Sequence, residues 1–189
     1  MMTPPPLLFQ DGWPDGEYRF FQVGFVVDNV LEQAARWART FGVGPFHVLP
    51  PIEQPCTYRG SDTGFNIQVA IAQAGPVQIE LIEQRCDRAS VYREQPAGFH
   101  QLCTVTRDYD GTRARYAALG YVEACDLTAA DGLRVAYIDT VRDFGFYTEV
   151  VEHSPVFLEQ LAGISRTCAA WDGTDPVRIL TRAGYRVPG

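Results

Sequence analysis

Residues 19–42 read RFFQVGFVVDNVLEQAARWARTFG. Their hydrophobic pattern is first that of a strand and then that of a helix. The run 20–27 is rich in aromatic and β-branched residues, which predicts a strand. The following apolar residues recur at helical spacing: Val30, Ala34, Trp37 and Phe41. Asp28 is the predicted N-cap of that helix, and Gly42 is the predicted residue just past its end. The segment is therefore a strand that leads directly into a helix.

The same order returns in the second half of the chain. Residues 98–110 read GFHQLCTVTRDYD and predict a strand, and the segment 109–120, YDGTRARYAALG, predicts a helix closed by a glycine. Three further strands are expected in each half, at 46–49, 65–73 and 77–84 in the first and at 121–125, 133–140 and 145–153 in the second. The repeat predicts two β-α-β-β-β modules.

A single helix covers only one face of such a sheet, so two modules that face each other would enclose a cleft. We therefore expect an α+β fold in which the modules form an incomplete, cleft-bearing β-barrel. The predicted domain spans residues 18–153 and consists of module one (18–84), a linker (85–97) and module two (98–153). Residues 154–189 form a C-terminal extension with a short helix at 156–163.

Composition excludes several functional classes. The net charge of −7, without a basic run to offset it, argues against nucleic-acid binding. No apolar run approaches the ~18 residues of a membrane span, and the first residues lack the features of a signal peptide, so we expect a cytoplasmic protein. The five cysteines are widely spaced without a C-x-x-C pair, which favours reduced thiols. The expected partner is a small molecule.

Side chains of a strand alternate between its two faces, which predicts the polar groups that point into the cleft. If the apolar residues of each strand pack under the helices, four polar residues face the other way: Gln22, Glu80, Gln101 and Glu149. The same alternation turns Cys103 and Tyr147 inward and places His100 on the helix side. A one-residue bulge would instead turn His100 into the cleft, since bulges re-aim side chains.

Two carboxylates and two amide oxygens around one point are hard ligands of the kind that Mg²⁺, Mn²⁺ or Ca²⁺ prefers. Without an ion the carboxylates would repel each other, and one would be pushed toward protonation. Either arrangement supplies a base. In the alternative interpretation, these groups hydrogen-bond one another or line a binding pocket.

Several short pieces carry a family resemblance through their order and spacing. They are FQVGFVVDNV (21–30), FGVGPF (41–46), YRG (58–60), VQIELIEQ (77–84), GFHQLCTVTRDYD (98–110), VAYIDT (135–140) and GFYTEVVEH (145–153). Over residues 18–153 the chain resembles the vicinal oxygen chelate superfamily, most closely its methylmalonyl-CoA epimerase-like and glyoxalase-like members. The resemblance implies a glyoxalase-like barrel of two β-α-β-β-β modules around a divalent metal, and it is compatible with a homodimer.

The resemblance also assigns positions to the metal. The usual ligand positions fall on Gln22, Glu80, Gln101 and Glu149, so both usual histidines are glutamines here, and His100 is the alternative ligand. A Mg, Mn, Co, Ni or Zn ion is thus expected only if amide oxygens can hold it. The iron triad of two histidines and one carboxylate cannot form at these positions, which disfavours a dioxygenase.

The chemistry that remains is removal of a proton from a carbon next to a carbonyl, as in isomerases, epimerases and lyases. Glu149 or Glu80 is the expected base, and the metal or the amides of Gln22 and Gln101 would stabilise the oxyanion. Cys103, Tyr137 and Tyr147 are expected to contact the substrate. One alternative is a noncatalytic binding protein of the drug-resistance type, with a cleft lined by aromatic rings: Phe25, Phe65, Tyr137, Phe144, Phe146 and Tyr147. Another is a noncatalytic partner subunit.

Overall fold

The computed structural model describes residues 19–189. The strands are β1 (Arg19–Val26), β2 (Phe46–Val48), β3 (Ile52–Tyr58), β4 (Ser61–Ala74), β5 (Val77–Gln84), β6 (Gly98–Thr106), β7 (Val122–Thr128), β8 (Arg134–Asp139), β9 (Tyr147–Glu152), β10 (Val177–Thr181) and β11 (Gly184–Arg186). The helices are α1 (Val30–Phe41), α2 (Tyr109–Ala118), α3 (Val141–Phe144) and α4 (Pro155–Ala169), with a 3₁₀ turn at Val91–Arg93. Within 19–189, no helix is both long enough and apolar enough to cross a membrane.

The first helix forms as its apolar spacing predicts, but its cap differs. Asn29, not Asp28, is the N-cap residue, and its side chain accepts a hydrogen bond from the backbone N–H of Glu32 at 3.0 Å. The helix starts one residue later than the predicted cap implies, so the capping position falls on the amide. Gly42 closes the helix with φ 66°, the left-handed conformation expected of a glycine there.

Eight strands pair in a ring in the order β4–β3–β7–β8–β9–β6–β1–β5, and β5 pairs again with β4. The shortest strand pairing in the ring is between β3 and β7, where only Thr57 and Tyr58 pair with Asp126 and Cys125. The remainder of β3 has no strand on that side among the described residues. The α+β class with a barrel-like sheet is thus confirmed.

The strand β3 was missed by the sequence prediction, which expected no strand between 46–49 and 65–73. Pro55 lies within β3, opposite Gly64 of β4. Because β3 meets β7 only near its end, the absent N–H of Pro55 removes no bond to that neighbour. The predicted strand at 46–49 exists as β2, but it lies outside the ring and pairs with β4 and β10.

The two faces of the barrel strands bury different clusters. Under α1, residues such as Val30, Ala34 and Leu81 are fully buried together. The interior cluster is separate and includes Phe21, Phe65, Ile82, Cys103, Tyr137, Tyr147 and Val151. For most residues of β1, β5, β6 and β9, the predicted alternation therefore gives the correct face, either toward the barrel interior or toward the helix.

The chain after the second module is more ordered than the sequence predicted. The helix α4 spans Pro155–Ala169 rather than 156–163, and β10 and β11 follow it. Leu161 of α4 is 2% exposed within the interior cluster, and the ring of Phe157 lies 6.2 Å from that of Phe21. The helix thus covers part of the barrel interior. The division into a domain and an extension stays a prediction.

Candidate active site

Strand register brings the predicted polar residues together inside the barrel. Gly24 of β1 lies between Glu80 of β5 and Gln101 of β6 in the pairing order. One step along, Gln22 pairs with Cys103, which in turn pairs with Glu149 of β9. The four residues predicted from alternation, Gln22, Glu80, Gln101 and Glu149, therefore occupy neighbouring rows of one surface.

Two irregularities in the β1–β6 ladder shape this surface. The first register shift lies between Phe20 and Gln22 on β1. The second lies between Gly24, which pairs with Gln101, and Phe25, which pairs with Phe99, so the pairing skips one residue of β6. The second shift makes His100 an extra residue on β6. Its imidazole is 1% exposed and lies 5.0 Å from the ring of Tyr147, centroid to centroid. The placement of His100 on the helix side is thus wrong, and the alternative with a bulge is correct.

The side-chain amide of Gln101 bridges the two carboxylates. Its Nε2 donates to Oε2 of Glu80 at 3.3 Å and to Oε2 of Glu149 at 3.2 Å. At its other end, Oε1 forms a short hydrogen bond with Nδ1 of His100. The Nε2 atom of His100 in turn lies 3.0 Å from the carbonyl oxygen of Val91. Both of these oxygens are acceptors and a neutral imidazole has one N–H, so the tautomer with the proton on Nδ1 is the one that holds the amide with its NH₂ toward both acids.

Gly24 provides the space that this bridge needs. A Cβ atom at residue 24 would lie 2.5 Å from Cδ and 2.7 Å from Nε2 of Gln101, closer than nonbonded carbon and nitrogen atoms can approach. At the corresponding position of the second module, Cys103 stands opposite Gln22, and its thiol hydrogen-bonds to Glu149. The glycine therefore explains why Gln101 can cross its neighbouring strand, whereas Gln22 faces a side chain.

Two tyrosines complete the surroundings of Glu149. The hydroxyl of Tyr137 donates to Oε1 of Glu149 at 2.9 Å, and the hydroxyls of Tyr137 and Tyr92 lie 2.7 Å apart. Tyr92 was missed, because it lies in the 3₁₀ turn of the segment 85–97 that the sequence predicted to be a linker. An aromatic residue within that otherwise polar segment was the available signal.

Electrostatics separate the two acids. Burial raises the pKa of Glu80 well above its ordinary value of 4.5, and the nearby charge of Glu149 raises it further. Burial also raises the pKa of Glu149, but hydrogen bonds from Cys103, Tyr137 and Gln101 act in the opposite direction. Because donors stabilise a carboxylate, these bonds favour the charged form at Glu149, whereas burial and the charge of Glu149 favour the protonated form at Glu80. Burial lowers the pKa of His100, against its hydrogen bonds to Val91 and Gln101.

Tyr147 does not direct its hydroxyl at the acids. The hydroxyl forms a short hydrogen bond with Glu94 and lies 3.5 Å from Nη2 of Arg59. Arg59 also pairs with Asp139 at 2.7 Å, at the rim of a surface pocket of about 230 Å³. The contribution of Tyr147 to the interior is therefore its ring, which packs on His100.

The aromatic lining expected of a binding cleft is only partly internal. Phe65, Tyr137 and Tyr147 belong to the interior cluster. Phe25 instead packs on the helix side against Trp37, at 5.2 Å, and Phe144 is 60% exposed. Phe146 belongs with these outer rings, since it contacts Phe144 and Phe99. Placing Phe25, Phe144 and Phe146 in the cleft was therefore wrong, because their strand and loop positions turn them outward.

The donor set does not fit a metal in this arrangement. A cation between Glu80 and Glu149 requires lone pairs directed at it from every side, but Gln101 presents its NH₂ group to both acids and its oxygen to His100. In the part of the chain from residue 19 onward, no group of three or more His, Cys, Asp or Glu residues could hold a metal ion. We derive no chemical step through a metal.

Comparison with known proteins gives the family. The profile of the Glyoxalase/Bleomycin resistance protein/Dioxygenase superfamily matches residues 21–137, and the chain belongs to this superfamily. The search of curated proteins found no match.

Three solved structures share the fold at low identity. A hypothetical protein, BH1468 from Bacillus halodurans C-125, is 14% identical with a TM-score of 0.52, covering 71% of this chain and 94% of its own. A Streptomyces coelicolor methylmalonyl-CoA epimerase variant in complex with 2-nitronate-propionyl-CoA is 16% identical with a TM-score of 0.52, covering 72% and 95%. The methylmalonyl-CoA epimerase of Mycobacterium tuberculosis is 14% identical with a TM-score of 0.50, covering 84% and 97%.

Proposed function

We infer that this protein is an enzyme that removes a proton from a carbon next to a carbonyl group, as an isomerase, epimerase or lyase does. The observation that carries this inference is the pair of acids Glu80, which is partly buried, and Glu149, which is buried, joined by the amide of Gln101. A pair of acids with unequal environments supplies one base and one acid at the same pH.

In the proposed reaction Glu149 is the base and Glu80 is the acid. The substrate C–H bond breaks, the proton joins the carboxylate of Glu149, and the electron pair moves onto the carbonyl oxygen to form an enolate. The raised pKa of Glu80 favours its protonated form, and donation of that proton to the oxygen lowers the energy of the intermediate. Return of a proton to carbon completes an isomerisation or epimerisation, whereas loss of a leaving group completes a lyase reaction.

The proposed chemistry defines the reacting group, and a structural neighbour suggests which compounds to test first. A carbon acid next to a carbonyl is required, and the solved epimerase of similar fold in complex with 2-nitronate-propionyl-CoA suggests acyl thioesters as the first compounds to test. Small 2-oxo and 2-hydroxy acids form the second set. Methylmalonyl-CoA belongs in the first set, and the identities of 14–16% do not single it out.

The test is exchange of the substrate α-proton with solvent deuterium, followed by ¹H NMR in D₂O. We expect the wild-type protein to exchange at least one compound, and Glu149→Gln to exchange it about 100- to 10 000-fold more slowly, the usual contribution of a general base. Glu152→Gln is the matched control on β9, because Glu152 pairs with Arg134 outside the site. Equal exchange by wild type and Glu149→Gln would refute the assignment of the base.

A binding protein without chemistry is the second candidate. The interior rings of Phe65, Tyr92 and Tyr137 lie edge to face at 5.1–5.7 Å and would suit a flat apolar ligand. In that case the same NMR experiment would show line broadening of a bound compound without loss of its α-proton signal. Recovery of the compound unchanged after long incubation would favour this function.

A further inference from the structure

We propose that in this protein the amide of Gln101 takes the place of the divalent cation between the two carboxylates, and that His100 and Gly24 are the positioning residues that hold it there. Only the expected effect on the reaction rate rests on the proposed function. The bridge itself is a structural statement with a test of its own. It also accounts for one of the two histidine positions of the superfamily that hold glutamine here, that of Gln101.

The contacts of Gln101 carry the first step of the argument. Both N–H bonds of its amide are directed at carboxylate oxygens, at 3.3 Å for Glu80 and 3.2 Å for Glu149. Hydrogen bonds to ionised groups stabilise more than neutral ones do. A bridging NH₂ therefore stabilises the charge of Glu149 while it also contacts Glu80, which is the electrostatic task that a cation would otherwise perform, without an open coordination position.

His100 determines which end of the amide faces the acids. Its ring packs on Tyr147, and because an amide oxygen only accepts, its Nδ1–H donates to Oε1 of Gln101. Its Nε2 lies 3.0 Å from the carbonyl oxygen of Val91, and only a charged imidazolium would donate to both oxygens. An amide has one donor end and one acceptor end. As long as Oε1 is held by His100, the NH₂ group points to Glu80 and Glu149, and no amide oxygen is offered to a metal.

Gly24 makes the crossing possible. Gln101 reaches Glu80 over β1, and any side chain at residue 24 would overlap its amide. Gln22 meets Cys103 at the corresponding point of the other module. One glycine therefore determines which of the two glutamines becomes the bridge.

The direct test is a Co²⁺ titration of chelator-treated full-length protein, followed by visible absorption and calorimetry. We expect no Co²⁺ bound between Glu80 and Glu149 in the wild type, and one tightly bound Co²⁺ in the double variant Gln22→His/Gln101→His, which supplies two imidazoles. One equivalent bound to the wild type and lost in Glu80→Gln would overturn the proposal. Binding that survives Glu80→Gln lies outside the site and agrees with it. If the double variant does not fold, the wild-type titration alone still tests whether a metal binds between Glu80 and Glu149.

The role of His100 is tested by two variants that each keep one of its contacts. In His100→Asn the amide nitrogen can replace Nδ1 and donate to Gln101, whereas the longer side chain in His100→Gln can replace Nε2 and reach Val91. We expect kcat for α-proton exchange to be at least tenfold lower in His100→Gln than in His100→Asn, with similar KM and similar thermal stability. Equal kcat values would overturn the positioning role. If no compound exchanges at all, the proposed function fails, and the Co²⁺ titration still decides the bridge.

Discussion

The Cδ atom of Gln101 lies 2.5 Å from the point where a Cβ atom would stand at residue 24. Gly24→Ala should therefore displace the amide from Glu80 and Glu149. We expect α-proton exchange to fall by about 100-fold, the order of loss that follows when a catalytic group is misplaced by an ångström. Activity of the variant is measured by the NMR assay and its stability by thermal denaturation.

Two further variants separate the loss of position from a loss of folding. Gly163→Ala is the matched control, since the nearest atom to its added methyl group is Nη2 of Arg166 at 3.8 Å. In Gly24→Ala/Gln101→Ala the clash is absent, so stability should recover while exchange stays low, a nonadditive pair of the kind expected for residues in contact. Wild-type exchange in Gly24→Ala would contradict the bridge.

Alternation along the strands was sufficient to select Gln22, Glu80, Gln101 and Glu149, because a period of two follows from strand geometry alone. It could not locate His100. The bulge there depends on how β1 and β6 shift against each other between Gly24 and Phe25, and a register belongs to a pair of strands rather than to one segment. The side on which His100 lies was for this reason open until the fold was known.

Other parts of the site are only weakly indicated by the sequence. Gly24 within a strand signals that another group approaches closely, but the sequence does not name Gln101 as that group. Tyr92 reaches Tyr137 from a 3₁₀ turn, where no period marks the inward residue. The strand β3 was hidden by Pro55, which is tolerated within it because the β3–β7 pairing is so short.

Tyr137→Phe removes a donor from Glu149, whose Oε1 it contacts at 2.9 Å. Because hydrogen bonds to a charged group contribute about 1.5–3 kcal/mol, the pKa of Glu149 should rise by roughly one to two units. The acidic limb of the pH–rate profile should then move to higher pH by the same amount. Tyr121→Phe, which removes an exposed hydroxyl that donates to Asp143, should leave the profile unchanged.

The raised pKa of Glu80 predicts how stability depends on pH. Its ordinary value is 4.5 and its folded value lies well above that, so between the two the folded state binds more protons than the unfolded state. The free energy of unfolding therefore falls as the pH rises through this window. Glu80→Gln cannot ionise, so it should gain stability relative to wild type with each step of increasing pH above 4.5.

Urea denaturation at several pH values from 5 to 8 measures this difference. The exposed acid Glu159, which pairs with Arg166 on the surface, provides the control variant Glu159→Gln. A constant difference between Glu80→Gln and wild type across the series would mean that Glu80 ionises as readily in the folded protein as in the unfolded chain.

Helix α4 should contribute to the stability of the barrel as well as cover its interior. Leu161 is almost fully buried in the interior cluster, and its backbone carbonyl accepts a hydrogen bond from Nε2 of the buried Gln78 at 3.2 Å. Leu161→Ala should lower the free energy of unfolding by about 2–5 kcal/mol, as cavities in packed cores do. Val156→Ala, at a position that is 62% exposed on the same helix, should change it little.

Denaturation curves of the two variants, followed by tyrosine fluorescence near the site, would show whether α4 unfolds together with the barrel. A separate early transition in the wild type would contradict the joint core.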